Sequence, residues 1–406
     1  MTFENLGLAE PLLKGVEAMG YTSPTPIQHQ AIPFALAGKD VVGCAQTGTG
    51  KTVAFVLPIL QGMSRRRGVK ALVVTPTREL ALQIEEVARS CSRFTHHKVG
   101  VVYGGVGYQP QVNRLRRGVD LLVATPGRLL DIQRRGDVDL SQVEILVLDE
   151  ADRMLDMGFW PDVRRIIRLL PEKRQNLLFS ATMPPRVYSI IGSTLDNPQE
   201  VRVSPTATPV EAIEQCVYPV DSRQKASLLI ELLRKRNLDR VLVFTRTKHR
   251  AGRLCTILQR NHIKAAPIHS NRTQAQRQKA LDGFKAGHVR VLVATDIVAR
   301  GIDVDNISHV INYDLPNRAE DYVHRIGRTA RAGTSGTAYS FLSGEEMAEL
   351  RAIEGMLGHT IECRDLEGFE YQERSLPSPK REAKKVVRLA YNGRARAGWG
   401  GRRRRR

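Results

Sequence analysis

The sequence predicts an α/β protein of two parallel-sheet domains in tandem, joined by a short linker and followed by a basic, disordered tail. Three observations carry this. Short apolar runs alternate with amphipathic stretches along most of the chain, the pattern of a parallel sheet with ligands at the carboxyl ends of its strands. The second half echoes the first. Ala71-Leu-Val-Val-Thr-Pro-Thr77 is matched by Val241-Leu-Val-Phe-Thr-Arg-Thr247, and Leu121-Leu-Val-Ala-Thr-Pro126 by Val291-Leu-Val-Ala-Thr-Asp296. Between the halves, Ser204-Pro-Thr-Ala-Thr-Pro-Val-Glu211 is polar and proline-containing, as a linker is.

In chain order, strands are expected at 40–44, 71–76, 99–103, 120–124, 145–149 and 175–180, then at 240–245, 265–269, 289–294, 308–313 and 336–342. The division that follows is an N-terminal region at 1–30, a first domain at 31–203, a linker at 204–211, a second domain at 212–360 and a tail at 361–406. Residues 371–406 hold thirteen Lys and Arg against two Glu, so +11 of the net +20 lies there, and apolar periodicity fades.

Composition narrows the function classes. At 406 residues the chain exceeds one ordinary core. With 62 Lys and Arg against 42 Asp and Glu, a polyanion is the expected partner, nucleic acid before membrane. Aromatics are only 5%, too few for readout by many stacked bases. The five cysteines form no CxxC pair and read as reduced thiols. No apolar run reaches membrane-spanning length, and Met1-Thr-Phe-Glu-Asn5 lacks the basic-then-apolar start of a signal peptide. The expected location is cytoplasmic or nuclear, with no membrane partner.

Two motifs carry the chemistry. Ala45-Gln46-Thr47-Gly48-Thr49-Gly50-Lys51-Thr52 follows the first strand, and a Gly-rich loop ending in Lys-Thr cradles phosphates with backbone N–H groups and a lysine. Ala45 stands where the general motif has glycine, but Gly48 and Gly50 keep the dihedral freedom that close phosphate approach needs. Downstream, Ile145-Leu-Val-Leu148 ends in Asp149-Glu150-Ala151-Asp152, acids at a buried strand tip. Together they imply a nucleotide hydrolase using Mg²⁺. Lys51 is expected on the β- and γ-phosphate oxygens, Thr52 and Asp149 on the metal, and Glu150 on the attacking water, with Asp152 tying the strand tip to other segments. The second half has no such loop, which argues against a second nucleotide site and for a second domain that completes the first site across a cleft.

With these motifs and those that follow them in order, the chain resembles a DEAD-box RNA helicase over roughly residues 1–345. The resemblance implies two RecA-like domains, ATP-dependent RNA binding and local duplex unwinding. Gly20-Tyr-Thr-Ser-Pro-Thr-Pro-Ile-Gln28 is similar to the family's Q motif. The Gln28 amide then pairs with the adenine edge, Tyr21 packs on the base, and Phe3 matches an isolated upstream aromatic. Alone, this stretch reads as a proline-rich turn before a helix. Ser180-Ala-Thr182, by default a strand-end turn, is the family's element coupling hydrolysis to unwinding. Arg78, Gly105, Thr125 and Arg128 follow strands and match RNA sugar-phosphate contacts, as do Gln274, Arg277 and Thr295 in the second half. Asp303 is expected on the ATP ribose.

Tyr322-Val-His324-Arg-Ile-Gly-Arg328-Thr-Ala-Arg331 resembles the family's motif VI, with His324 in coupling. Arg328 and Arg331, three apart and expected on one helix face, would act as arginine fingers. Ala330 replaces a common glycine; this is benign in a helix, where alanine is favoured by about 0.8–1 kcal/mol, and misaligning if the position needs positive φ. The wording around His269-Ser-Asn-Arg-Thr-Gln-Ala-Gln-Arg277 and the basic tail points to the bacterial RhlE-like branch. The expected partners are single-stranded RNA and short duplexes, held by the sugar-phosphate backbone, with ribosomal or RNA-decay proteins as candidates and a monomeric core. The expected activity is single-strand clamping with local, non-processive unwinding. A DNA translocase and an ATP-gated clamp or annealing chaperone are the other readings.

Overall fold

A computed structural model describes residues 2–46, 48–64, 67–203, 213–296, 307–329 and 336–372. Thr47, Asp303, Ala330, Arg331, the 204–211 linker and the basic end from 373 therefore lie outside the described residues.

The first half forms seven strands: β1 (Val41–Cys44), β2 (Ala71–Val74), β3 (Val99–Val102), β4 (Leu121–Ala124), β5 (Ile145–Asp149), β6 (Gln175–Ser180) and β7 (Gln199–Arg202). The second half forms seven more: β8 (Ile213–Pro219), β9 (Val241–Phe244), β10 (Ala265–Ile268), β11 (Val291–Ala294), β12 (His309–Asn312), β13 (Gly336–Leu342) and β14 (Glu362–Cys363). All pairings are parallel. The sheet orders are β3-β4-β2-β5-β6-β1-β7 and β10-β11-β9-β12-β13-β8-β14, so the second sheet repeats the first strand for strand. Helices cover both faces, which is why β2, β4, β9 and β11 are apolar at every position and wholly buried.

The expected boundaries shift in two places. Residues 1–30 are not a separate region. Phe3, Leu6, Leu12 and Val16 share one core with Ile27 and Phe55 of the first half, and the helix Pro26–Leu36 runs through the expected boundary. Phe3 is thereby a core residue. At the other end β14 pairs with β8, and Leu366 is buried in the second core, so the second half continues past 360. β7, β8 and β14 escaped the apolar-run criterion. β7 carries one buried residue, Val201; in β8 the polar pair Glu214-Gln215 follows Ile213 and interrupts the apolar run; β14 has two residues.

Candidate nucleotide and nucleic-acid sites

The strand order brings the two chemical motifs together. β6 lies between β1 and β5, with Cys44 beside Ser180 and Asp149 beside Phe179. The loop after β1 and the acids after β5 therefore meet at one end of the sheet. Gly48 and Gly50 both have φ near +88°. A Cβ on Gly50 would stand 2.4 Å from Gln28 Nε2, so this position needs glycine for space as well as for dihedral. Gln28 Nε2 donates to Gly50 O (3.1 Å), and Gln28 Oε1 accepts from Thr25 N (2.9 Å). The glutamine thus both caps its helix and braces the phosphate loop, retaining one N–H and one lone pair for a base edge. Tyr21 is 43% exposed beside this segment. Thr49 Oγ1 donates to Gln46 O (2.7 Å), closing the loop.

Lys51 and Thr52 open the helix Lys51–Gly62. Lys51 is buried, donates Nζ to Ala45 O (2.8 Å) and lies 3.6 Å from Glu150 Oε1. Glu150 has φ of 55° as the residue before the helix Ala151–Asp156, a strained conformation of the kind held at functional sites. Burial, then the charge of Glu150, push the Asp149 carboxyl up to about 7. Burial would raise Glu150 too, but Lys51, Arg153, Arg328 and His324 hold it below the usual carboxylate range. Lys51 offsets the rise at Asp149 only in part, which leaves that carboxyl short of positive charge. A divalent cation would offset that deficit, and the oxygens of Asp149 and Thr52 are of the hard donor type that Mg²⁺ takes.

Behind the acids, Asp152 ties the tip of β5 to the segment that leaves β6. Its Oδ2 accepts from Thr182 N (2.9 Å) and Thr182 Oγ1 (2.6 Å), while its own N–H donates to Ser180 Oγ (3.2 Å). From the second half, His324 and Arg328 line one small cavity together with Glu150, Asp152 and Asp156. The helical expectation for Arg328 fails, because the helix Ala319–Ile326 ends at Gly327 and Arg328 lies beyond it. Arg325, read past in the sequence, is the buried hub of this segment. It grips Asp296 with two hydrogen bonds (2.6 and 2.8 Å) and donates to Asn312 Oδ1 (3.1 Å) and Asp314 O (2.6 Å). The available signal was an arginine on the apolar face of an amphipathic helix.

Four of the seven residues expected on RNA, Arg78, Thr125, Arg128 and Arg277, line a cleft of about 470 Å³, whereas Gly105, Gln274 and Thr295 are not among its lining residues. Arg78, Thr125 and Arg128 line it from the first half, and Ser270 and Arg277 from the second. A Cβ on Gly105 (φ 78°) would collide with the Arg78 guanidinium. Burial, then the charges of Arg277 and Arg128, outweigh Glu79 and push Arg78 below its ordinary value. Crowded guanidiniums of this kind call for an anion. Buried polar atoms left without partners cluster nearby: Thr75 Oγ1, Arg128 Nη1, Gln274 Nε2 and Arg277 Nε. Gln274 and Arg277 sit three apart on the helix Gln274–Lys285, so Arg277 Nη2 reaches Gln274 Oε1 (2.5 Å). Thr295 is half-buried just past β11. Sequence reasoning missed Glu79, whose Oε1 accepts from Arg277 Nη1 at 2.6 Å across the two halves.

A family profile described as DEAD/DEAH box helicase matches residues 25–190, and one described as helicase conserved C-terminal domain matches 224–333. The chain is 43% identical over 372 residues to the ATP-dependent RNA helicase RhlB of Pseudomonas syringae, covering 89% of this chain and 94% of that protein. S. cerevisiae Dbp5 bound to RNA and ADP BeF3 superposes with a TM-score of 0.80 at 32% identity, covering 90% of this chain and 95% of that one. Mss116 bound to ssRNA and UDP-BeF gives 0.81 at 28% identity, covering 91% and 81%.

Proposed function

This chain belongs to the DEAD-box family of ATP-dependent RNA helicases, and we propose that one closure of its two halves builds both its ATPase centre and its RNA cleft. The observation that carries this is shared lining. Glu150 of the first half meets His324 and Arg328 of the second in one cavity, and Arg78 and Arg128 meet Ser270 and Arg277 in another. Occupancy of either site then favours the arrangement that completes the other, which is coupling in the thermodynamic sense.

In this reading Lys51 leaves the Ala45 carbonyl for the β- and γ-phosphate oxygens. Gln28 and Tyr21 select adenine, with Gln46, Thr49 and the Gly48 and Gly50 amides around the phosphates. Thr52 and Asp149 would hold Mg²⁺, which when bound neutralises phosphate charge. Glu150 orients the attacking water and takes its proton. Arg328 stabilises charge on the γ-phosphoryl group as an arginine finger. Asp152, Ser180, Thr182 and His324 transmit the state of the acids to the cleft. There Arg78, Gly105, Thr125, Arg128, Gln274, Arg277 and Thr295 hold the sugar-phosphate backbone of a single strand. Thr47, Asp303 and Arg331 keep their expected roles at the nucleotide. Clamping one strand displaces its partner locally, which makes unwinding non-processive and limited to short duplexes.

Among the described residues no helix is long and apolar enough to cross a membrane, and the five cysteines are free thiols, which favours the cytoplasm. Placement in an RhlE-like branch rests on the segment 269–277 and the basic end. The test is ATPase activity with RNA or DNA of equal length, beside strand displacement from a short RNA duplex. RNA-specific stimulation with ATP-dependent displacement is expected. ATP-gated RNA binding without displacement would favour the clamp or annealing reading, and equal stimulation by DNA the translocase.

A further inference from the structure

Because the second sheet repeats the first, each part of the nucleotide cradle has a positional counterpart. β8 stands where β1 does, β12 where β5 does and β13 where β6 does. The helix after β8 begins with Lys225, as the helix after β1 begins with Lys51. Both lysines are buried, and each lies near an acid carried past the fifth strand: 3.6 Å from Lys51 to Glu150, 3.8 Å from Lys225 to Asp314.

The second lysine also has an anion that the first lacks. Glu346 sits just past β13, and its Oε2 accepts from Lys225 Nζ (2.6 Å), Ser343 N (3.1 Å) and Ser343 Oγ (2.7 Å). Its Oε1 accepts from Leu315 N (3.0 Å) and lies 3.6 Å from Arg246 Nη2. An ammonium, a guanidinium, a hydroxyl and two backbone N–H groups converging on one anion form the donor set of a phosphate site. Here a side chain of the same protein fills it. The surrounding cavity, about 400 Å³, is lined by Arg223, Arg246, Arg250 and Arg253 around Lys225. Arg250 meets Asp314 at 2.6 Å, whereas among the described residues Arg223 and Arg253 make no ion pair.

We propose that this crevice is a phosphoryl-binding site kept filled by the Glu346 carboxylate, a tethered surrogate that excludes a second nucleotide and that an external phosphoryl group replaces when Glu346 is withdrawn. The proposal concerns a site separate from the nucleotide cradle and does not depend on the roles assigned there. It also accounts for why the second half carries a P-loop-like lysine without the glycines of a P-loop: the anion it serves is covalently supplied, so no loop need wrap an incoming phosphate.

The experiment uses the full-length chain with inorganic phosphate as probe and chloride of equal ionic strength as control. Glu346→Ala strands Lys225 and Arg246 without their anion, and its melting temperature is expected to fall by about 5–15 °C. Phosphate should restore at least half of that loss saturably, beyond any effect on wild type through the first half, and equilibrium dialysis should find one more phosphate per chain than in wild type. Adding Lys225→Met should abolish the surplus. Glu346→Gln, which keeps the shape and one acceptor oxygen, serves if the alanine variant does not fold and should show a smaller loss, again recovered by phosphate. Absence of any surplus binding in both Glu346 variants would overturn the proposal, as would a surplus that survives Lys225→Met.

Discussion

The ion pair between Glu79 and Arg277 gives the sharpest test of closure. The two residues belong to different halves, their side chains are 4% and 6% exposed, and Glu79 Oε1 lies 2.6 Å from Arg277 Nη1. Arg277→Ala removes an expected phosphate donor and leaves a buried carboxylate unpaired. Breaking a buried pair by deleting one partner costs about 3–5 kcal/mol. If that whole cost opposes closure, RNA affinity in the ATP-bound state falls roughly 10²–10⁴-fold, an upper range because the open state returns Glu79 to water. Glu79→Ala should weaken binding less, since the freed guanidinium can still meet a phosphate. The double variant should bind better than Arg277→Ala alone, because no buried charge is stranded. The assay is equilibrium binding of a fluorescent single-stranded RNA with a non-hydrolysable ATP analogue, for wild type, both single variants and the double. Additive effects, or a loss below about threefold for Arg277→Ala, would show that the pair does not hold the halves together.

Three further outcomes test the site assignments. Lys51→Ala should weaken ATP binding, whereas Glu150→Gln should bind ATP yet hydrolyse it negligibly and hold RNA in a long-lived complex; single-turnover ATPase and RNA dissociation rates separate the two, and a wild-type rate for Glu150→Gln would remove it from catalysis. Arg328→Ala should leave ATP affinity near wild type and lower hydrolysis by roughly 10³-fold, the weight of an arginine finger; a fall below tenfold would contradict that role. Truncation after residue 372, which spares the packed segment around Leu366, should preserve unstimulated ATPase but weaken RNA binding. If about five tail arginines neutralise phosphates, the slope of log affinity against log salt flattens by about 3–4 units, and an unchanged slope would point the tail to another partner.

Much of this protein is written locally. The apolar runs at β1 to β6 and β9 to β13 are legible because a strand covered on both faces is mostly apolar. Gly48, Gly50, Lys51, Asp149 and Glu150 are legible because phosphate and metal chemistry demands particular residue types at fixed offsets from a strand. Three strands left no such trace: β7 is an edge with one buried residue, β14 is an edge of two residues, and β8, though inside the sheet, carries Glu214-Gln215 near its start. Tertiary structure alone decided the rest. Gln28 was expected to recognise a base, but packing also made it a brace against Gly50. Arg325 and Glu346 were unremarked in the sequence, yet each is buried in a network whose partners come from distant segments of the chain. The pair of Glu79 with Arg277 spans 198 residues and exists only where the halves meet. Sequence periodicity reports which face of an element is buried. Which charges are buried together depends on strand order and closure, because a charge is stable in the interior only beside a partner that the fold brings to it.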